Sequence, residues 1–145
     1  NTDASIFTAA NIAEVSTQGV EFESAYKFKM KNYNQILTFG YTYLNDDILD
    51  QDKELSRYSL NTLKHQFITR FTSQIFKSVR QNIIYKHAER TVGTSYNVWD
   101  ASLIVDFNKL TFALTANNIF NAEYIESGFV PMPSSNVLFG LRYGF

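Results

Sequence analysis

The chain has 145 residues, no cysteine, and a net charge of −1 from 13 basic and 14 acidic side chains. Disulfides, catalytic thiols and thiolate metal sites are thereby excluded, and nothing in the charge balance argues for nucleic acid as a partner. Aromatic residues make up 16% of the chain, an excess that suits pleated surfaces and bilayer interfaces, and the longest run free of Asp, Glu, Lys and Arg, Ser127 to Leu141, is broken by Pro131 and Pro133, so any membrane crossing must be made by strands.

Apolar side chains at every second position mark a half-buried strand, because successive residues leave opposite faces of the pleat. The first such segment is predicted from about Gly19 to Lys29, with Val20, Phe22, Tyr26 and Phe28 on one face and Glu21, Glu23, Lys27 and Lys29 on the other. The second, about Tyr33 to Asn45, sets Leu37, Phe39, Tyr41 and Tyr43 against Thr38, Gly40 and Thr42. The third, His65 to Ile75, sets Phe67, Phe71 and Ile75 against Gln66, Arg70, Thr72 and Gln74. The fourth, Val79 to His87, sets Val79, Ile83 and Tyr85 against Arg80, Asn82 and Lys86, with Gln81 an exception on the apolar side. The fifth, Asn97 to Phe107, sets Trp99, Ala101, Leu103, Val105 and Phe107 against Asp100, Ser102 and Asp106. The sixth, Leu110 to Phe120, sets Leu110, Phe112, Leu114 and Ala116 against Thr111, Thr115 and Asn117. The last, Asn136 to Phe145, sets Val137, Phe139, Leu141, Tyr143 and Phe145 against Asn136, Gly140, Arg142 and Gly144.

Keeping the apolar residues on one face across each hairpin predicts turns of about four residues at Lys29 to Asn32, about three at Phe76 to Ser78 and about two at Asn108 and Lys109. Long polar segments, Asp46 to Lys64, Ala88 to Tyr96 and Asn121 to Ser135, make the other ends. The last hairpin should place Phe107 opposite Leu110, Val105 opposite Phe112, Leu103 opposite Leu114, and Asp106 opposite Thr111. Short turns on one side, long loops on the other and strands of about 9 to 11 residues form the pattern of an all-β, antiparallel transmembrane barrel.

Alternation alone also allows a soluble sandwich or lipocalin-like barrel with its apolar face inside. The rings favour the membrane reading. Phe28, Tyr33, Phe107, Tyr143 and Phe145 gather at the short-turn end and Tyr43, Tyr85, Trp99 and Phe120 near the long-loop end, like two aromatic girdles. The opposite face, with Glu21, Glu23, Lys27, Arg70, Arg80, Lys86, Asp100, Asp106 and Arg142, suits a plugged or water-filled interior.

Three stretches carry a family resemblance. Asn11-Ile-Ala-Glu-Val-Ser-Thr-Gln-Gly19-Val-Glu-Phe-Glu23 is similar to the Asn, Glu, Gly-Val-Glu pattern of a late barrel strand in TonB-dependent outer-membrane receptors, with Ala13 where the family usually has Gly. Leu114-Thr-Ala-Asn-Asn118-Ile-Phe-Asn-Ala-Glu-Tyr124 resembles the family's Asn-Leu-Phe-Asp-x-x-Tyr pattern, with Ile119 for Leu and Asn121 for Asp. Val137-Leu-Phe-Gly-Leu-Arg-Tyr-Gly-Phe145 resembles the terminal recognition strand of outer-membrane proteins. The resemblance spans about Asn11 to Phe145.

It implies that residues 1–145 are the C-terminal part, about seven strands, of a barrel of about 22 strands, with Asn1 to Thr8 a loop remnant and the plug domain and TonB box absent. Asn1 is no initiator and no leader follows it, so the chain reads as a mature or trimmed product. The implied function is uptake of a scarce ligand, an iron-siderophore, cobalamin or a glycan, across the outer membrane of a Gram-negative bacterium. The implied partners are outer-membrane lipid, the rest of the barrel and its plug, TonB through that plug, and the barrel-assembly machinery, for which Val137, Phe139, Leu141, Tyr143 and Phe145 would be the signal. The alternative is a self-contained eight-strand barrel with a structural or adhesion role, closed by Ser5 to Val15 against Val137 to Phe145.

No enzyme is expected. His65 and His87 lie on different strands with no nucleophile motif nearby and read as surface or girdle histidines. Asp46, Asp47, Asp50 and Asp52 lack the spacing of a calcium loop and read as solvated charge. Neither cofactor nor metal is therefore expected. Tyr96, Tyr124 and Phe129 are the loop aromatics placed to meet a ligand.

Overall fold

The computed structural model describes residues 15–48, 63–91, 95–126 and 130–145. Seven strands follow one another in a single antiparallel sheet: β1 (Val15–Met30), β2 (Tyr33–Ile48), β3 (Leu63–Phe76), β4 (Val79–Arg90), β5 (Tyr96–Phe107), β6 (Leu110–Asn117) and β7 (Asn136–Tyr143). Each strand pairs with its neighbour in sequence. No ladder joins β1 to β7 among the described residues, so the sheet is open. No helix occurs among them either. The proposed first strand Ser5 to Val15 and the loop Asn1 to Thr8 lie outside the described residues, apart from Val15 itself.

Alternation sets the register. Phe107 pairs with Leu110, Asp106 with Thr111, Val105 with Phe112 and Leu103 with Leu114, as the two-residue turn requires. Two other turns are shorter than the sequence suggests. Met30 pairs with Tyr33, leaving Lys31 and Asn32 as a two-residue turn at φ 50 and 71, the left-handed pair that matches hairpin twist. A turn of two residues and one of four leave the same side chains on the same face, so the alternation could not tell them apart. Phe76 pairs with Val79, and the register shifts between Gln74 and Phe76. The odd residue counted into that turn is instead absorbed by a bulge at Ile75.

Strand lengths depart in both directions. β1 and β2 have 16 residues each, beyond the roughly 9–11 that cross a bilayer, because backbone pairing continues past the point where side chains alternate. β6 stops at Asn117, short of Phe120, because Asn118 takes φ 48 and turns the chain out of the ladder.

One face carries a belt of rings across the strands. Phe22 contacts Phe39 at 6.3 Å, Phe39 contacts Phe67 at 4.6 Å, Phe67 contacts Tyr85 at 6.1 Å and Tyr85 contacts Trp99 at 4.7 Å. Phe120 closes the row edge-on against Trp99. Nothing among the described residues covers this face: Phe22, Trp99, Leu103 and Phe139 are all exposed, and the buried apolar core is only Ala88, Tyr96 and Val98. An uncovered apolar surface of this extent is foreign to a soluble monomer.

Gly19, the glycine of the Gly-Val-Glu stretch, has a packing reason. It pairs with Leu44, and a Cβ there would stand 2.5 Å from the Tyr43 carbonyl oxygen and 2.5 Å from Leu44 Cδ2. Backbone cannot yield cheaply, so Gly19→Ala is expected to displace the β1–β2 ladder at a cost of roughly 1–3 kcal/mol. Denaturant unfolding of the parent protein checks this, and unchanged stability contradicts it.

Candidate functional site

The opposite, polar face has its most elaborate structure at the long-loop end. Lys86 and Ala88 on β4 and Tyr96, Val98 and Asp100 on β5 project from that face, since Lys86 pairs with Val98 and Ala88 with Tyr96. The connection between β6 and β7 folds across them. Tyr124 stacks on Tyr96 with ring centres 4.6 Å apart and planes 29° apart. The Lys86 ammonium lies 5.6 Å from the Tyr96 ring centre and 5.4 Å from that of Tyr124, a cation over two π faces. Lys86 Nζ also donates to Glu126 Oε1, and the Tyr96 hydroxyl donates to the same oxygen at 3.2 Å. Below them Ala88, Tyr96 and Val98 form the buried cluster, flanked by Leu63 and Tyr124.

Asn118 ties the start of this loop to its end. Its backbone N–H donates to Asp100 Oδ1 at 2.8 Å, its Nδ2 donates to the carbonyls of Ala122 and Pro133, and its Oδ1 accepts from the Ala122 N–H. Asn121, at φ 52, accepts the Ser135 N–H through Oδ1, and the Met132 N–H donates to the Tyr124 carbonyl. Asparagine suits these two positions because it tolerates a left-handed backbone while its amide bonds neighbouring main chain.

Burial by itself pushes the Glu126 carboxyl up, but the Lys86 hydrogen bond and charge, the Tyr96 hydroxyl and the Arg90 charge outweigh it, and the net shift is downward. Burial, then the charges of Glu126 and Asp100, push the Tyr124 hydroxyl up, so it stays neutral. A carboxyl lowered on folding stabilises the docked loop above its unfolded value, and that contribution is lost as pH falls through the folded value. Hydrogen exchange of the loop amides should therefore quicken relative to the strands below the ordinary glutamate range. In Glu126→Gln it should be fast already at neutral pH and lose this acid dependence; a variant with the parent's pH profile would contradict the linkage.

Elsewhere the polar face bears a hollow of about 430 Å³ walled by Glu21, Glu23 and Arg70, with Thr38, Gly40 and Thr42 as its floor. The small side chains of β2 leave this space. Nearer the short turns, Arg80 Nη2 meets Asp106 Oδ2 at 2.8 Å, and the Thr111 hydroxyl donates to Asp106 Oδ1.

The residues singled out from sequence are distributed as follows. Val137, Phe139, Leu141, Tyr143 and Phe145 form an exposed stripe along β7 and its end. His65 Nδ1 is hydrogen-bonded to the Tyr41 hydroxyl at 2.8 Å and packs against Tyr43; His87 Nδ1 lies 2.9 Å from Asn97 Oδ1. Asp46 Oδ1 accepts from the Thr17 hydroxyl. Asp50, Asp52 and Phe129 lie outside the described residues. Tyr96 and Tyr124 come together, but Tyr96 is buried against its partner rather than free at a loop tip. Sequence reading missed Glu126, which no motif marks, and the role of Asn118, which the Asn-Ile-Phe-Asn stretch did mark.

The sequence profile described as TonB dependent receptor-like, beta-barrel, matches residues 1–119. No curated protein and no solved structure matches the chain.

Proposed function

Because the chain belongs to the TonB-dependent receptor-like β-barrel family, a family of outer-membrane proteins of Gram-negative bacteria, we propose that it forms one wall and the outer loops of an energised importer. Its seven strands would be the last of a barrel of about 22. The ring-bearing face looks into hydrocarbon and the charged face into the lumen. The remaining strands and a plug complete the molecule, and TonB acts through that plug. The imported ligand is a scarce one, of the iron-siderophore, cobalamin or glycan class, met at the loop end. The stripe Val137, Phe139, Leu141, Tyr143 and Phe145 serves the barrel-assembly machinery, which adds the final strand by main-chain pairing. The segment does no covalent chemistry.

One observation carries the reading. Among the described residues a single open sheet presents an uncovered apolar face from β1 to β7, while its reverse holds the Arg80–Asp106 and Lys86–Glu126 ion pairs, the hollow and the docked loop. Soluble folds bury such a face, and membrane barrels leave it to lipid. The test is uptake in cells with and without the full-length gene, supplied with radiolabelled iron chelates, labelled cobalamin or fluorescent oligosaccharides. The reading expects gene-dependent uptake of one class that stops when TonB is removed. Uptake of none, or uptake indifferent to TonB, would overturn it.

A further inference from the structure

The apolar face is not apolar throughout. Gln35 on β2, Ser73 on β3 and Gln81 on β4 stand in one cross-strand row, Gln35 paired with Ser73 and Ser73 with Gln81. They sit near the short-turn end, Gln35 roughly 7 Å along the strand from Tyr33. Gln35 and Ser73 are buried, at 2% and 4% exposure. Polar side chains turned toward hydrocarbon are costly, so this row calls for an explanation.

Part of it is local. Near the bulge at Ile75, the Gln74 carbonyl accepts from Gln35 Nε2 at 3.1 Å. That bond fixes which way the amide points. Gln35 Oε1 is left buried with no hydrogen-bond partner. The same side chain lines a cleft of about 490 Å³ on this face, with Met30, Tyr33, Phe71, Ile75 and Phe76 as apolar walls and Lys31 at the rim. Met30 and Phe76 are themselves well exposed, so the walls can move aside. Each short turn also carries an exposed lysine: Lys31, Lys77 and Lys109.

We propose that this cleft is a lysophospholipid site. The phosphate sits against Lys31, the single acyl chain lies along Met30, Phe71 and Phe76, and the free glycerol hydroxyl donates to Gln35 Oε1. The hydroxyl decides the class. At glycerol depth a diacyl phospholipid offers only ester oxygens, which accept, whereas the orphaned group is itself an acceptor and needs a donor. A lysine at the turn supplies the charge complement to phosphate at the membrane surface. This rests on the outward orientation of the ring-bearing face.

The test is native mass spectrometry of the delipidated full-length receptor, titrated with lysophosphatidylethanolamine or with diacyl phosphatidylethanolamine. One lysolipid should bind at least roughly tenfold more tightly than the diacyl lipid, the discrimination of about one hydrogen bond. Gln35→Leu should abolish that preference. Lys31→Gln, in an exposed turn where folding is not at stake, should weaken the lysolipid by a similar factor, while Lys109→Gln, remote from the cleft, should not. Equal binding of the two lipids, or equal effects of Lys31→Gln and Lys109→Gln, would overturn the proposal. Quenching of Trp99 by brominated lipid in the same sample separates this failure from a failure of the orientation: if Trp99 is quenched, only the site is wrong.

Discussion

Arginine in place of Leu114 is expected to cost the assembled barrel roughly 2–4 kcal/mol, whereas arginine in place of its neighbour Thr115 is expected to cost less than about 1 kcal/mol. Leu114 lies near the middle of β6, paired with Leu103 on one side and Phe139 on the other, and it is exposed on the ring-bearing face. A guanidinium there would be held in hydrocarbon. Thr115 projects the other way, between Ser102 and Leu138, where arginine meets water or the carboxylates of the polar face. Urea unfolding of the full receptor in phospholipid vesicles reads both costs. A reversed order would mean that the apolar face is not the lipid face.

Asn118→Ala should release the last long loop from the polar face while leaving the sheet intact. The substitution deletes three side-chain hydrogen bonds at a position only 3% exposed, orphaning the Ala122 N–H and removing the donor from the Ala122 and Pro133 carbonyls. It also places alanine at φ 48. Each lost hydrogen bond costs about 0.5–1.5 kcal/mol net, since Ala122 is only half-buried and Pro133 exposed, and the left-handed backbone about 1–2, so a combined loss of roughly 3–5 kcal/mol is expected. As local opening this corresponds to hydrogen exchange in residues 119–126 faster by about a hundredfold or more. Asn118→Asp keeps the acceptor and the backbone tolerance and should fall between. Parent-like protection in the alanine variant would show that Lys86, Glu126 and the stacked tyrosines hold the loop by themselves.

The two faces and the register of β5 on β6 were legible because a period of two depends only on which side chains alternate. Turn lengths were less so. Parity cannot distinguish a two-residue turn at Lys31 and Asn32 from a four-residue one, and a bulge at Ile75 mimics an extra turn residue. The polar face also holds apolar Val98, which shares the parity of Asp100 but not the character of that face. It is buried because Tyr96, Tyr124 and the folded loop cover it. The meeting of Lys86 with Glu126, 40 residues apart, had no signal in spacing. It depends on how the Asn118 and Asn121 turns redirect the chain, which sequence marked only as a resemblance.

If the ring-bearing face meets hydrocarbon and the charged face an aqueous interior, spin labels on the two faces will meet different collision partners. The chain has no cysteine of its own, so once any cysteine elsewhere in the receptor is replaced, single cysteines placed in it can be labelled with nitroxides. In the full receptor reconstituted in vesicles, labels at Leu103, Leu114 and Phe139 should collide with oxygen and be shielded from a water-soluble nickel chelate. Labels at Ser102 and Thr115 should show the reverse. Nickel access at the first set with oxygen access at the second would mean that the charged face, not the ring-bearing one, meets the lipid.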